Sequence, residues 1–186
     1  MTSRFLLSLA AAVALPLGPV AAADDPDPMA AFHPGTAIPG YGKIADVDIE
    51  MAIPEGTVLL HSFDATEGKA GTLNRTLESV ARFVNMHVAA GMPLANVHAA
   101  VVVHGPAVFD VTNAERYGAK YDGAKNPNAD LVAALQAVGV EIYVCGQSAA
   151  AQDVHNGDLL PGVKMALSAM TAHALLQQRG YTLNPF

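Results

Sequence analysis

The chain has 186 residues, 52% of them hydrophobic and 15% charged, with a formal net charge of -7. That length and apolar content suit one domain with a sizeable core, and the negative balance makes nucleic acid and anionic membrane surfaces poor partners. Its single cysteine, Cys145, excludes an intramolecular disulfide framework.

Residues 1–23 have the layout of a secretory signal peptide: one positive charge at Arg4, the apolar stretch FLLSLAAAVALPLGPV, then AAA directly before the acidic DDPDP. Pro16, Gly18 and Pro19 break the apolar run short of the roughly 20 residues a spanning helix needs, which favours cleavage after Ala23 over an uncleaved anchor. Removing 23 of the 186 residues would leave 163 and, with Arg4 gone, a net charge of -8. The expected location is periplasmic or secreted, with no membrane attachment after cleavage.

Residues 24–56 form a Pro/Gly-rich extension (DDPDP, HPG, IPGYG, IPEG), expected to wrap the surface or stay mobile rather than to make a domain of its own. Residues 57–186 read as one α/β domain. TVLLHSF, from Thr57 to Phe63, predicts a first strand, and Leu73, Leu77, Val80, Val84 and Val88 recur at helical spacing before Gly91 and Pro93. NVHAAVVVHG predicts a second strand, apolar on consecutive residues as in a parallel sheet covered on both faces. Asn126 and Pro127 suit the cap and first position of the next helix, and Gly139 its exit. EIYVC is the third strand, VKMALSA the fourth, MTAHALLQQR the last helix and YTL a short final strand. This alternation predicts an open parallel sheet with helices on both faces.

In such sheets ligands bind outside the carboxyl ends of the strands. Asp64, His104, Cys145 and Ser168 fall at or near the ends of the four predicted strands. Gly146 lets the chain turn sharply after Cys145, and Gln147 and Ser148 open a segment able to start a helix, whose backbone N–H groups would face the sulfur or be capped by these side chains. Both the dipole and the free N–H groups favour thiolate over thiol. The alternative is that Cys145 is a small buried hydrophobe.

The stretches VVVHGPAVFDV, NPNADLVAALQAVGVEIYVCGQSAAAQ and DLLPGVKMALSAMTAHALLQQRGYTLNPF, taken in order, resemble the DsrE/DsrF-like family in its exported YchN-like branch. The resemblance implies a three-layer α/β/α sandwich around a mainly parallel sheet of about five strands, assembly as a homotrimer or homohexamer, and sulfur handling. In that chemistry a cysteine accepts sulfur as a persulfide and passes it to a thiol of a donor or acceptor protein. Cys145, in VCGQS, corresponds to the cysteine of the YchN-like CG motif.

A persulfide carrier needs an attacking thiolate and an approach path, but no cofactor. His104 could hydrogen-bond the thiolate or shuttle its proton, or it could simply close the turn after its strand. Asp64 could orient a histidine, stand as a solvated loop carboxylate or cap a helix. His33, His61, His87, His98, His104, His155 and His173 show no H-x-x-x-H spacing, so no metal site is expected. Two other functions stay open: a non-catalytic oligomeric binding module of the same fold, and a periplasmic metal-binding protein using histidines.

Overall fold

Val97–Val103 (β2) is where the architecture is easiest to derive, because both faces of this strand are apolar. Ala99, Val101 and Val103 point into one core, and Ala100 and Val102 into another on the opposite face. A strand buried on both sides belongs in the middle of a parallel sheet. The computed structural model, which describes residues 27–184, places it there. The sheet has five strands in the order β4-β3-β2-β1-β5, all parallel. Its other members are β1 (Leu59–Ala65), β3 (Glu141–Cys145), β4 (Lys164–Ala166) and β5 (Thr182–Leu183). The chain divides into a unit Met1–Ala30, of which only residues 27–30 are described, and a unit Ala31–Phe186 that carries the whole sheet. The predicted signal segment lies outside the described residues.

Helix α1 (Arg75–Ala89) begins at Asn74, whose side-chain oxygen accepts from Thr76 N at 2.9 Å and Leu77 N at 3.2 Å. Its buried positions Leu77, Val80, Ala81 and Val84 make the stripe that the sequence spacing predicts. Leu73 precedes the cap and is 37% exposed, outside that stripe. Helix α3 (Ala129–Ala137) packs beside α1, and Leu131, Val132 and Leu135 join the same core. This helix starts later than its sequence suggests. Asn126 does not cap it, because its amide donates to Asp110 O and Thr112 O and its oxygen takes Asn128 N, so the chain turns once more before Ala129. Between β2 and α3 lie a buried 3₁₀ segment, Gly105–Val111, and α2 (Ala114–Lys120). Helix α4 (Gly146–Ala151) follows β3 without a linker.

Helix α5 (Ala169–Gln178) covers the other face, where Ala172, Leu176 and Tyr181 meet Ala100 and Val102. The Pro/Gly-rich segment from residue 31 lies against α1. Fully buried Asn85 accepts from Ile38 N at 2.8 Å and donates to Ile38 O, Tyr41 O and Gly42 O. Glycine is required at that contact: a Cβ on Gly42, which has φ +60°, would lie 2.2 Å from Arg82 N.

Candidate functional site

The residues singled out at the strand ends converge on the carboxyl rim of the sheet. Strand register sets their direction. Val103 pairs with Val144, and both belong to the α1-side core, so the next residues, His104 and Cys145, lie side by side and face α5. Asp64, paired with Val102, points the same way.

Cys145 is 6% exposed and is itself the N-cap of α4. Its sulfur accepts from Ser148 N at 3.5 Å. The sequence suggests Gln147 and Ser148 as caps, but both side chains are used elsewhere. Ser148 Oγ accepts from Gly105 N at 3.1 Å, tying α4 to the turn after β2, and Gln147 Nε2 donates to Leu167 O at 3.3 Å. Gly146 has a steric reason: a Cβ there would sit 2.6 Å from Ala166 O, because β4 runs against it. Burial, the largest single influence on the Cys145 thiol, pushes its pKa up. The Ser148 hydroxyl and the backbone N–H groups of Ser148, Ala169 and Gln147 together outweigh it, and the net shift is downward. The hydrogen bond to the sulfur comes from Ser148 N at the start of α4, and the Ala169 N–H at the start of α5 adds to the downward pull on the thiol.

Ser168 makes no hydrogen bond to the sulfur among the described residues. It caps α5, accepting from Thr171 N at 3.0 Å, and so fixes the neighbouring Ala169 N–H. The His104 imidazole is hydrogen-bonded to Asp64. Its Nε2 meets Asp64 Oδ1 at 3.0 Å and Oδ2 at 3.1 Å, and no hydrogen bond joins it to the sulfur among the described residues. Asp64 is thus hydrogen-bonded to a histidine.

Asp64 also takes a second imidazole, His173 Nε2, at 2.9 Å. Burial would raise the carboxyl pKa and is the largest influence, but the bonds from His173 and His104 reverse it and leave Asp64 below its ordinary value. His173 Nδ1 is buried without a partner. Sequence reasoning leaves His173 among the scattered histidines. The available signal was its place four residues after Ala169, on the inward side of α5 beside Ala172 and Leu176.

Among the described residues, no group of three or more His, Cys, Asp or Glu is placed to hold a metal ion, and no helix is long and apolar enough to cross a membrane.

No curated protein matches the chain. Among solved structures, a protein of unknown function from Methanobacterium thermoautotrophicum is similar at 17% identity, with 69% of this chain and 97% of that chain covered and a TM-score of 0.49. Residues 59–185, from the first strand through the last, match the profile of one family, and on that match the chain belongs to the DsrE/DsrF-like family.

Proposed function

We propose that the protein is a sulfur-relay or persulfide carrier acting through Cys145. The observation that carries this reading is the sulfur's setting, a nearly buried thiol at the ends of two helices whose N–H groups draw its pKa below the ordinary value. In the proposed step the Cys145 thiolate attacks the outer sulfur of a polysulfide or persulfide. A new S–S bond forms at Sγ, the donor's S–S bond breaks, and the donor leaves as a thiolate. A partner's thiolate then attacks the outer sulfur of the Cys145 persulfide and restores the Cys145 thiolate, so the cycle needs no oxidant. His104, beside Cys145 and held by Asp64, takes or returns the proton when a neutral thiol enters or leaves.

The test is intact-mass measurement after exposure to polysulfide. A gain of one sulfur that a thiol acceptor removes, and that Cys145→Ser abolishes, supports the carrier. No gain leaves Cys145 a packing residue.

The proposal extends to context: the exported YchN-like branch, secretion with Asp24 as the mature N-terminus, and a homotrimer or homohexamer. Assembly is supported by apolar surface at α5: Leu167 and Leu175, 71% and 54% exposed, line a cavity of about 560 Å³, and Met170 is 81% exposed. N-terminal sequencing of the secreted fraction and light scattering test these two points. The second reading, a non-catalytic oligomeric binding module, is favoured by the absence, among the described residues, of a hydrogen bond between His104 and the sulfur.

A further inference from the structure

Away from the Cys145 rim, α1 and the β1/β5 edge enclose a cavity of about 720 Å³. Its floor is aromatic. His61 stacks on Phe83 at 5.2 Å between ring centroids with 21° between planes, Phe63 meets His61 edge-on at 5.1 Å, and Phe63 meets Phe83 at 5.5 Å. A smaller cavity of about 390 Å³ shares His61 and Phe83 and prolongs the groove along Val58 and Leu60.

The rim is cationic. Arg75, Ser79 and Arg82 line it from one stripe of α1, the two arginines seven residues and therefore about 10 Å apart. Arg82 spends its Nε on Lys43 O and rests on the Phe32 ring at 5.5 Å, which fixes the guanidinium while leaving its terminal N–H groups without a hydrogen bond among the described residues. The Arg75 guanidinium makes no hydrogen bond or ion pair among the described residues. Among the described residues no Asp or Glu lines the cavity, in a chain whose acidic residues outnumber the basic ones 17 to 10.

We propose that this groove is a binding site for a small organic anion with a flat aromatic body, a carboxylate or sulfonate on an aryl ring. The ring would lie on the His61–Phe83 pair, where aromatic surfaces stack favourably. The acid group would take the planar guanidinium forks, which match two oxygens at once. Inorganic phosphate lacks the apolar body and a neutral arene lacks the charge, so neither satisfies both halves. The groove shares no lining residue with the Cys145 rim, and the proposal does not depend on sulfur chemistry.

The probe is 8-anilinonaphthalene-1-sulfonate, an aryl anion whose fluorescence is read easily in a chain without tryptophan. One probe is expected per chain, with affinity falling at least about tenfold in the Arg75→Gln/Arg82→Gln double variant, which removes both guanidinium contacts. Because Arg82 also holds the residue 43 backbone, Arg75→Gln alone, which breaks no bond, must weaken the probe measurably in a variant that melts like the parent. Benzoate should displace the probe, and inorganic phosphate should not. Leu175→Ser, on the α5 groove, should leave binding unchanged. Equal affinity in the arginine variants, equally tight binding of neutral N-phenyl-1-naphthylamine, displacement by phosphate, or loss of signal in Leu175→Ser would each overturn the proposal.

Discussion

On the side of the sheet that carries α1 and α3, Val101 and Val103 meet Leu77, Val80, Leu131 and Leu135 in a continuous core that also takes in the 3₁₀ segment and Tyr117. On the side that carries α5, Ala100 and Val102 meet Ala172, Leu176 and Tyr181, and the second core is closed by little more than these. The same strand feeds both. The first side is held by hydrophobic burial in bulk. The second is held by a thin core plus directed polar contacts, namely the Ser168 cap, the Asp64–His173 bond and the Glu141–Arg179 pair. The Cys145 rim faces the thin side. A group that must meet a partner gains access there, and the geometry around its sulfur then depends on a few hydrogen bonds rather than on packing.

The sharpest way to break this comparison is to truncate one leucine on each side. Leu135→Ala should cost about 3–4 kcal/mol, because the surrounding core is closed and cannot collapse into the cavity. Leu176→Ala, equally buried, should cost about 2 kcal/mol, because its neighbours border an open groove and can relax. Urea denaturation of both variants decides the matter, and equal losses would mean that α5 is not the looser layer.

A second test uses the polar weak point of the thick side. Asp110 is fully buried in the 3₁₀ segment, with Oδ2 accepting from Asn74 at 2.8 Å and Oδ1 unpartnered. Desolvation raises its pKa from 3.8 to about 6, against the smaller lowering effect of Asn74. With the folded pKa above the unfolded one, its contribution is fully present below pH 3.8 and is lost as pH rises through about 6. Asp110→Asn should remove that slope and be about 1–2 kcal/mol more stable than the parent at pH 7.5, in line with relief of a buried, half-paired charge. Denaturation at pH 4.5 and 7.5 measures both. An unchanged slope would assign the pH dependence to other groups.

On the thin side, Asp64→Asn should release His173 and let the start of α5 drift from the sulfur. The midpoint of Cys145 alkylation against pH should then move up toward that of a free thiol, about 8.5. A midpoint that stays where the parent has it would mean that Ser148 and α4 alone set the thiol. The smallest effect is expected at Glu141→Gln, at the opposite end of β3. Burial would raise the Glu141 pKa, but Arg179, Tyr143 and Tyr181 hold it down at about 2 instead of 4.5. Its stabilisation is present above pH 4.5 and lost as pH falls through about 2. With Arg179 about half exposed, solvent screening keeps the loss in Glu141→Gln at neutral pH to about 1 kcal/mol or less. Denaturation at pH 7 and pH 3 measures it.

Much of this was legible in the amino-acid order. The consecutive apolar residues of VHAAVVV put β2 at the centre of a doubly covered sheet, the helical spacing from Leu77 to Val84 laid α1 on it, and strand-end position alone drew Asp64, His104 and Cys145 to one rim. These are local or periodic properties, and periodicity dictates which face a side chain takes. What the tertiary structure decided is which partner each polar group chose. His104 bonded to Asp64, His173 arrived on the same carboxylate from 109 positions away, Asn126 left its helix to bind the 3₁₀ segment, and Ser148 took the Gly105 N–H instead of capping its own helix. Hydrogen bonds between distant segments depend on distances that the fold sets only after the strands have paired. Spacing along the chain therefore carries no signal of them.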